Sequence, residues 1–251
     1  MTVLAKAMIF GFGLALCGAA PALADCGDLP EHAAVQAALK ASVAASGGAA
    51  NGGFELNMWA TIVDRDGIVC VVAFSGADRD DQWPGSRVIS AQKANTANAF
   101  SLDGLALSTA NLFSATQDGA SLFGLQFSNP VDPAVAYGGD STAYGSDNGP
   151  MLFKKPGGVN VFGGGLALYR DGAVVGAVGV SGDSSCADHN VAWRVRTALE
   201  LGAVTAGVSP NKDDGIVFDI ADGKSAGGWG HPLCAGTEAK VAVEIGAGAQ
   251  P

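Results

Sequence analysis

Apolar residues in this chain follow two periodicities. After Asp28-Leu29-Pro30-Glu31, Val35, Ala38, Leu39 and Val43 recur at helical spacing as far as Ser46. This predicts a helix with an Asx start, an early proline and a stop at Gly47-Gly48. Phe54–Val63 and Ile68–Phe74 switch to runs of β-formers, and Asp64-Arg65-Asp66-Gly67 between them predicts a hairpin. Helical spacing returns over Pro84–Phe100, with Val88, Ile89, Gln92, Thr96 and Phe100 near one face, and again over a shorter Ser108–Gln117. Residues 119–158 lose both periods and fill with Gly, Pro, Asn and Asp, a length that signals function or an insertion. Asn160–Tyr169 and Ala173–Val180 then predict the clearest hairpin, turning at Arg170-Asp171-Gly172. Ser184 or Ser185 suits the cap of a further helix with Asp188 in its first turn and Val191, Val195, Ala198 and Leu199 as its buried stripe. Ile216–Ile220 reads as a last strand before a Gly-rich tail. The order α-ββ-α-α-ββ-α implies an antiparallel sheet with helices packed on it, an α+β fold.

The N-terminus carries a different pattern. Lys6 is its only charge, Ala7–Ala20 is apolar but short for a bilayer span, and Ala22-Leu23-Ala24 is a small-x-small cleavage signal. Residues 1–24 therefore read as a signal peptide removed near Ala24-Asp25, which predicts a periplasmic or secreted protein with no membrane segment afterwards. Residues 25–251 read as a single domain, with a core of about 30–201 and a Cys-bearing extension over 202–251.

Cysteine usage agrees with export. Cys26, Cys70, Cys186 and Cys234 follow the leader, with neither C-x-x-C nor haem-attachment spacing among them. A zinc site would need widely separated residues to converge, so two disulfides are favoured: Cys26–Cys70 on the N-terminal side and Cys186–Cys234 clamping the tail. Each closes a loop of roughly 45–50 residues, about 4 kcal/mol in the chain-entropy model.

Charge narrows the partners. The 251 residues carry a formal charge of −10, which becomes −11 once the leader and its lysine are gone. Such a chain repels phosphate backbones and anionic membrane surfaces. Glycine, at 37 residues, is about twice its usual share but has no collagen period.

Few residues offer chemistry. There is no phosphate-binding loop, no dinucleotide fingerprint and no H-E-x-x-H. Gly163-Gly164-Gly165 lies inside a strand pattern, where missing side chains let another backbone, or a flat ligand, come close. Gly179-Val180-Ser181-Gly182-Asp183 approaches a nucleophile elbow but has Asp183 in place of the last glycine, so a turn feeding a helix cap is the simpler reading. Of the three histidines, His32 falls in the first turn of a surface helix and is expected to be solvated, and His231 sits in the tail. His189 follows Gly182-Asp183 and is the one placed to face a cleft, as an axial or metal ligand, although a lone imidazole in such a helix is more often structural. Lys93 and Thr96 share a helix face and suit carboxylates such as haem propionates, but spacing alone favours the boundary of a solvated face.

These motifs together resemble the GlcG/HbpS haem-binding family. The resemblance rests on Lys93-Ala94-Asn95-Thr96-Ala97, on the strand Gly163-Gly164-Gly165-Leu166, and on Val175-Gly176-Ala177-Val178-Gly179-Val180-Ser181-Gly182 followed by Asp188, and it covers roughly Pro30–Leu201. It implies a profilin-like α+β fold with an antiparallel sheet of about five strands, a homo-oligomer, and binding of haem or a related tetrapyrrole. By motif position Lys93 and Thr96 map onto the helix lining the family's ligand site. Gly163, Gly164, Ser181 and His189 complete the candidate binding set, His189 being suggested by this sequence and not by the family. The segment Ser121–Val159, the tail beyond Leu201 and Ser184-Ser185-Cys186-Ala187-Asp188-His189 depart from the simpler family pattern and fit an exported, disulfide-stabilised branch.

Three readings follow, in this order. The first is a binder of haem or another small molecule, with His189, Tyr137 and Tyr144 as axial candidates. The second is a non-catalytic partner of an exported dehydrogenase. The third is a haem-degrading enzyme using Lys93, Asp183 or His189.

Overall fold

The computed structural model describes residues 25–44 and 50–249. The expected leader and the Gly47-Gly48 helix stop lie outside the described residues. A four-stranded sheet organises the body. Its strands are β1 (Trp59–Asp64), β2 (Val69–Phe74), β3 (Gly165–Arg170) and β4 (Ala173–Ser181), in the order β2-β1-β4-β3. Every neighbouring pair is antiparallel, with Trp59 opposite Phe74 on one side and Ser181 on the other. The main sheet thus has one strand fewer than the five implied by the resemblance.

Helices cover both faces. On one face lie α1 (His32–Val43) and α5 (Ser185–Ala198). Their Val35, Leu39, Val191 and Val195 pack on Met58, Ala60 and Ile62 around β1 and on Val178 and Val180 of β4. On the other lies α2 (Ser86–Phe100), whose Val88, Ala91, Ala94 and Ala97 meet Trp59, Val63, Val72 and Ala177. Alternation along the strands therefore sends successive residues into two different cores, and all six residues of β1 are buried. The contact of α2 with β4 is unusually direct. A side chain on Gly179 would collide with the Ser90 carbonyl and the Ala94 amide, so helix backbone lies straight against strand backbone.

Element boundaries differ from the sequence reading where side chains take over backbone groups. A 3-10 turn, Cys26–Asp28, is capped by Asp25, so α1 starts only at His32. Phe54 and Leu56 donate their amides to the Asp183 carboxylate at 2.9 and 3.1 Å, so the first strand opens at Trp59 instead of Phe54. The expected third helix over Ser108–Gln117 is replaced by turns and a 3-10 turn, Ser114–Thr116. Asn111 Oδ1 accepts from the Ser108 amide at 3.0 Å, and Asn111 Nδ2 donates to the Gly215 carbonyl at 3.0 Å; these local bonds compete with the helical ladder. Asn160 donates its amide to Thr96 Oγ1 at 3.0 Å, so the strand after it begins at Gly165.

Within the irregular segment lie α3 (Leu125–Ser128), α4 (Pro133–Ala136) and a 3-10 turn, Ser141–Ala143. Its end returns to the sheet edge, where the Val69 amide donates to the Lys154 carbonyl at 2.9 Å and the Phe153 amide to the Val69 carbonyl at 2.8 Å. The tail holds β5 (Ile216–Val217), the hairpin β6 (Ile220–Ala221) and β7 (Lys224–Ser225), α6 (Glu238–Glu244) and β8 (Gly248–Ala249). The expected strand Ile216–Ile220 is thus split in two, and its first part pairs in parallel with β8. Arg196 anchors the tail, donating from Nη1 and Nη2 to Asp214 at 2.7 and 2.8 Å in full burial. Both expected disulfides form, Cys26–Cys70 and Cys186–Cys234.

Candidate functional site

The signature residues converge, but on one another. Lys93 of α2 is buried and sends Nζ across to β4 and α5. It donates to Asp188 Oδ2 at 2.6 Å and to the Val180 carbonyl at 3.1 Å. Asp188 Oδ1 accepts the amides of Gly182 and Asp183 at 3.0 and 2.9 Å. Burial pushes the Asp188 carboxyl up to about 6 against the pull of Lys93 and the backbone donors. The lysine does meet a carboxylate, one belonging to the protein itself. Gly164 sits beside this pair with φ +117, and a Cβ there would press on Lys93 Nζ and Asp188 Cβ.

The other expected ligands are also interior. Thr96 Oγ1 donates to the Gln92 carbonyl at 2.7 Å and accepts from Asn160. Gly163 donates its amide to His231 Nε2 at 3.3 Å, and Ser181 is buried at the end of β4. His189, expected at a cleft, is fully buried, its Nε2 bonded to the Ala247 carbonyl at 3.1 Å and its ring stacked on Trp193. Burial pushes its pKa down to about 3 and that of His231 to about 4, so both rings are neutral. The tail reaches His189 through the Ala247 carbonyl, and Gly163 lies against its Cβ. His32 is half-buried, not solvated, with Nε2 2.8 Å from the Gly145 carbonyl. Asp183, one of the enzymatic candidates, is occupied by the amides of Phe54 and Leu56.

A surface cleft of about 260 Å³ lies elsewhere, where the first turn of α2 meets the irregular segment. Trp59, Pro84 and Val88 give it apolar walls, and Tyr137 and Tyr144 bring two phenols. Arg79 stands at its rim, and Arg87 lies buried with its guanidinium 3.7 Å from the centre of the Tyr144 ring. Arg87 Nη2 donates to the Ala136 carbonyl at 2.6 Å, tying α2 to α4. Its own pKa is lowered by burial, with Tyr144 and Tyr137 opposing that effect. Tyr144 Oη donates to the Tyr137 carbonyl at 3.2 Å, while the Tyr137 side chain is 63% exposed. The Trp59 indole N–H is buried without an acceptor. Sequence reasoning reached the two tyrosines but missed Trp59, Arg79 and Arg87. Arg87 in the first turn of an otherwise small-residue helix was the available signal, since a cation is unfavourable there against the helix dipole without a specific partner.

Comparison with known proteins agrees with the signature. Residues 32–196 match the family described as haem degrading protein HbpS-like. Among solved structures, the chain is similar to the Klebsiella pneumoniae protein ORFY, of family DUF336. The two are 25% identical with a TM-score of 0.44, over 68% of this chain and 90% of that one. It is also similar to the PduOC:heme complex (24% identity, TM-score 0.47, 69% of this chain and 95% of that one). HbpS matches at 18% identity and TM-score 0.40, over 69% of this chain and 95% of that one. No curated protein matches the chain. With the Lys93–Asp188 signature inside the matched region, this chain belongs to the HbpS-like haem-degrading protein family.

Proposed function

We propose that the protein is an exported haem binder that holds its ligand in the cleft between α2 and the irregular segment. The single observation carrying this reading is the convergence of two phenols, two guanidiniums and an apolar wall in one open cleft of a member of this family. The donor set fits the group. Phenol oxygen is a known axial ligand to haem iron, which supplies the site's metal and redox chemistry when bound. Tyr144 is the preferred ligand, and Arg87 on its ring places positive charge beside an oxygen that becomes anionic on binding a metal. Arg79, exposed at the rim, suits a propionate. Trp59, almost fully buried, contributes apolar surface to the cleft wall. Lys93, Thr96 and Gly164 support the site from behind by holding α2 against its neighbours, and Gly163, Ser181 and His189 lie in the interior. His189 is not assigned as the metal ligand, because it is sealed in the interior.

The cleft is small and open beside typical ligand pockets of about 300–1,000 Å³, so one edge of the ligand stays in solvent. That suits sequestration or sensing, in which a partner must reach the ligand. Export rests on the N-terminal pattern and the two disulfides, and a homo-oligomer on the family. Among the described residues no helix is long and apolar enough to cross a membrane.

Hemin titration tests the reading. The expected result is a saturable Soret shift whose spectrum changes in Tyr144→Phe and not in His189→Gln. A parental protein that gives no saturable shift at micromolar concentration overturns it. The family description favours a second reading, haem degradation. Under a reductant or peroxide it predicts faster bleaching and iron release than free haem shows, whereas a binder slows both.

A further inference from the structure

The groove beside the N-terminal disulfide holds chemistry that the haem cleft does not use. Cys26, in the first 3-10 turn, and Cys70, in β2, are half-buried and line a cavity of about 340 Å³. Asp64 closes β1 just behind them and is 1% exposed. Its Oδ1 shapes the hairpin turn, accepting from the amides of Asp66 and Ile68 at 2.9 Å each. Its Oδ2 is buried with no donor at all. A carboxylate oxygen of Asp64 and both cysteine sulfurs lie within 4.8 Å of one another.

An orphaned buried acceptor is destabilising, and more so when charged. The turn does not require that cost, because an asparagine would serve Oδ1's two donors equally well. In the disulfide state the sulfurs are neutral and donate nothing to the carboxylate. In the reduced state the same three atoms become two thiolates and a carboxylate, a compact S₂O set beside water. Thiolates favour soft and borderline cations, and zinc accepts both Cys and Asp ligands with an open fourth position. The Cα atoms of the pair are 5.3 Å apart, so rotation about the side-chain bonds can part the sulfurs to zinc–thiolate spacing without moving the 3-10 turn or β2.

We propose that the reduced Cys26 and Cys70, with Asp64, form a Zn²⁺ site whose fourth position opens on the groove. Disulfide and metal are alternative states of one site. Entry into the metal state needs a dithiol. Two electrons and two protons pass from it to the two cysteine sulfurs, the S–S bond breaks, and the dithiol leaves as its own disulfide. Zn²⁺ then displaces the two thiol protons to solvent as two S–Zn bonds form.

Cobalt(II) is the probe, added to the full chain reduced with a phosphine. The expected result is a thiolate-to-cobalt charge-transfer band that saturates at one metal per chain, is displaced by Zn²⁺ and is absent from the oxidised protein. Cys26→Ser abolishes the band and Cys186→Ser retains it. Asp64→Asn keeps the turn acceptor and weakens cobalt binding about tenfold or more, the scale at which even outer-shell partners act. The proposal is overturned by a folded, reduced protein that gives no band. A band lost in Cys186→Ser but kept in Cys26→Ser, or cobalt binding unchanged in Asp64→Asn, also overturns it. Should reduction unfold the chain, Zn²⁺ is expected to restore the folded circular-dichroism signal of reduced Cys186→Ser over a chelator control, and no recovery refutes the site.

Discussion

The Lys93–Asp188 pair joins α2 to the start of α5 across the end of β4, with no water-exposed edge on either partner. Replacing Lys93 with Met removes the cation and leaves a carboxylate buried among donors that cannot neutralise it, a change worth about 3–5 kcal/mol. Protonation offers Asp188 an escape, because burial already raises its pKa to about 6 and loss of Lys93 raises it further. Lys93→Met is therefore expected to cost more stability at about pH 8 than at about pH 5, where the proton replaces the missing cation. Urea unfolding at the two pH values checks this, and equal losses would refute it. The residue types of this pair are visible in the sequence, and so is their suitability for each other. Their partnership is not, because 95 positions separate them and only the topology brings them together.

Among the elements, those with local chemistry were legible. The Asp64–Gly67 and Arg170–Gly172 turns produced their hairpins, and Ser184 caps α5 through the Ala187 amide. Elements whose ends depend on distant side chains were not, such as the strand start delayed by Asp183 and the helix forestalled by Asn111. The cleft was legible least of all, since its walls come from β1, the first turn of α2 and two parts of the irregular segment. Packing of α2 makes a sharp element-level prediction. Gly179→Ala inserts a methyl between helix and strand backbones that have no slack, so a loss of at least about 1–3 kcal/mol is expected. The control is Gly104→Ala, where a Cβ meets open space and the change should stay within about 0.5 kcal/mol. Denaturant midpoints of the two variants compare them directly. A displaced α2 would also shift Arg87 and Val88, so Gly179→Ala should weaken hemin binding as well.

At the scale of the whole molecule, acid acts through two buried rings. His189 and His231 have folded pKa values of about 3 and 4 against an ordinary 6.5. Unfolding below about pH 6.5 lets both take up protons that the native state refuses, so their contribution is complete above that pH and is lost as pH falls towards 4 and 3. Asp188 acts oppositely, since the native state holds its proton up to about 6 and the unfolded chain releases it near 3.8. Between about pH 4 and 6 the unfolded state thus binds a net one proton more at these three groups, and their joint contribution to stability rises by about 1.4 kcal/mol per pH unit. Calorimetry or urea titration across that interval measures the slope, and His231→Asn should flatten it. The two disulfides carry a further consequence in the connectivity of the oxidised chain. Their loops, 26–70 and 186–234, neither overlap nor nest, so every residue from 71 to 185 lies on the single covalent thread between two closed rings. One protease cut within 119–158 therefore parts the molecule into two halves that only packing keeps together. The same cut within 202–233 opens a ring and leaves one connected chain.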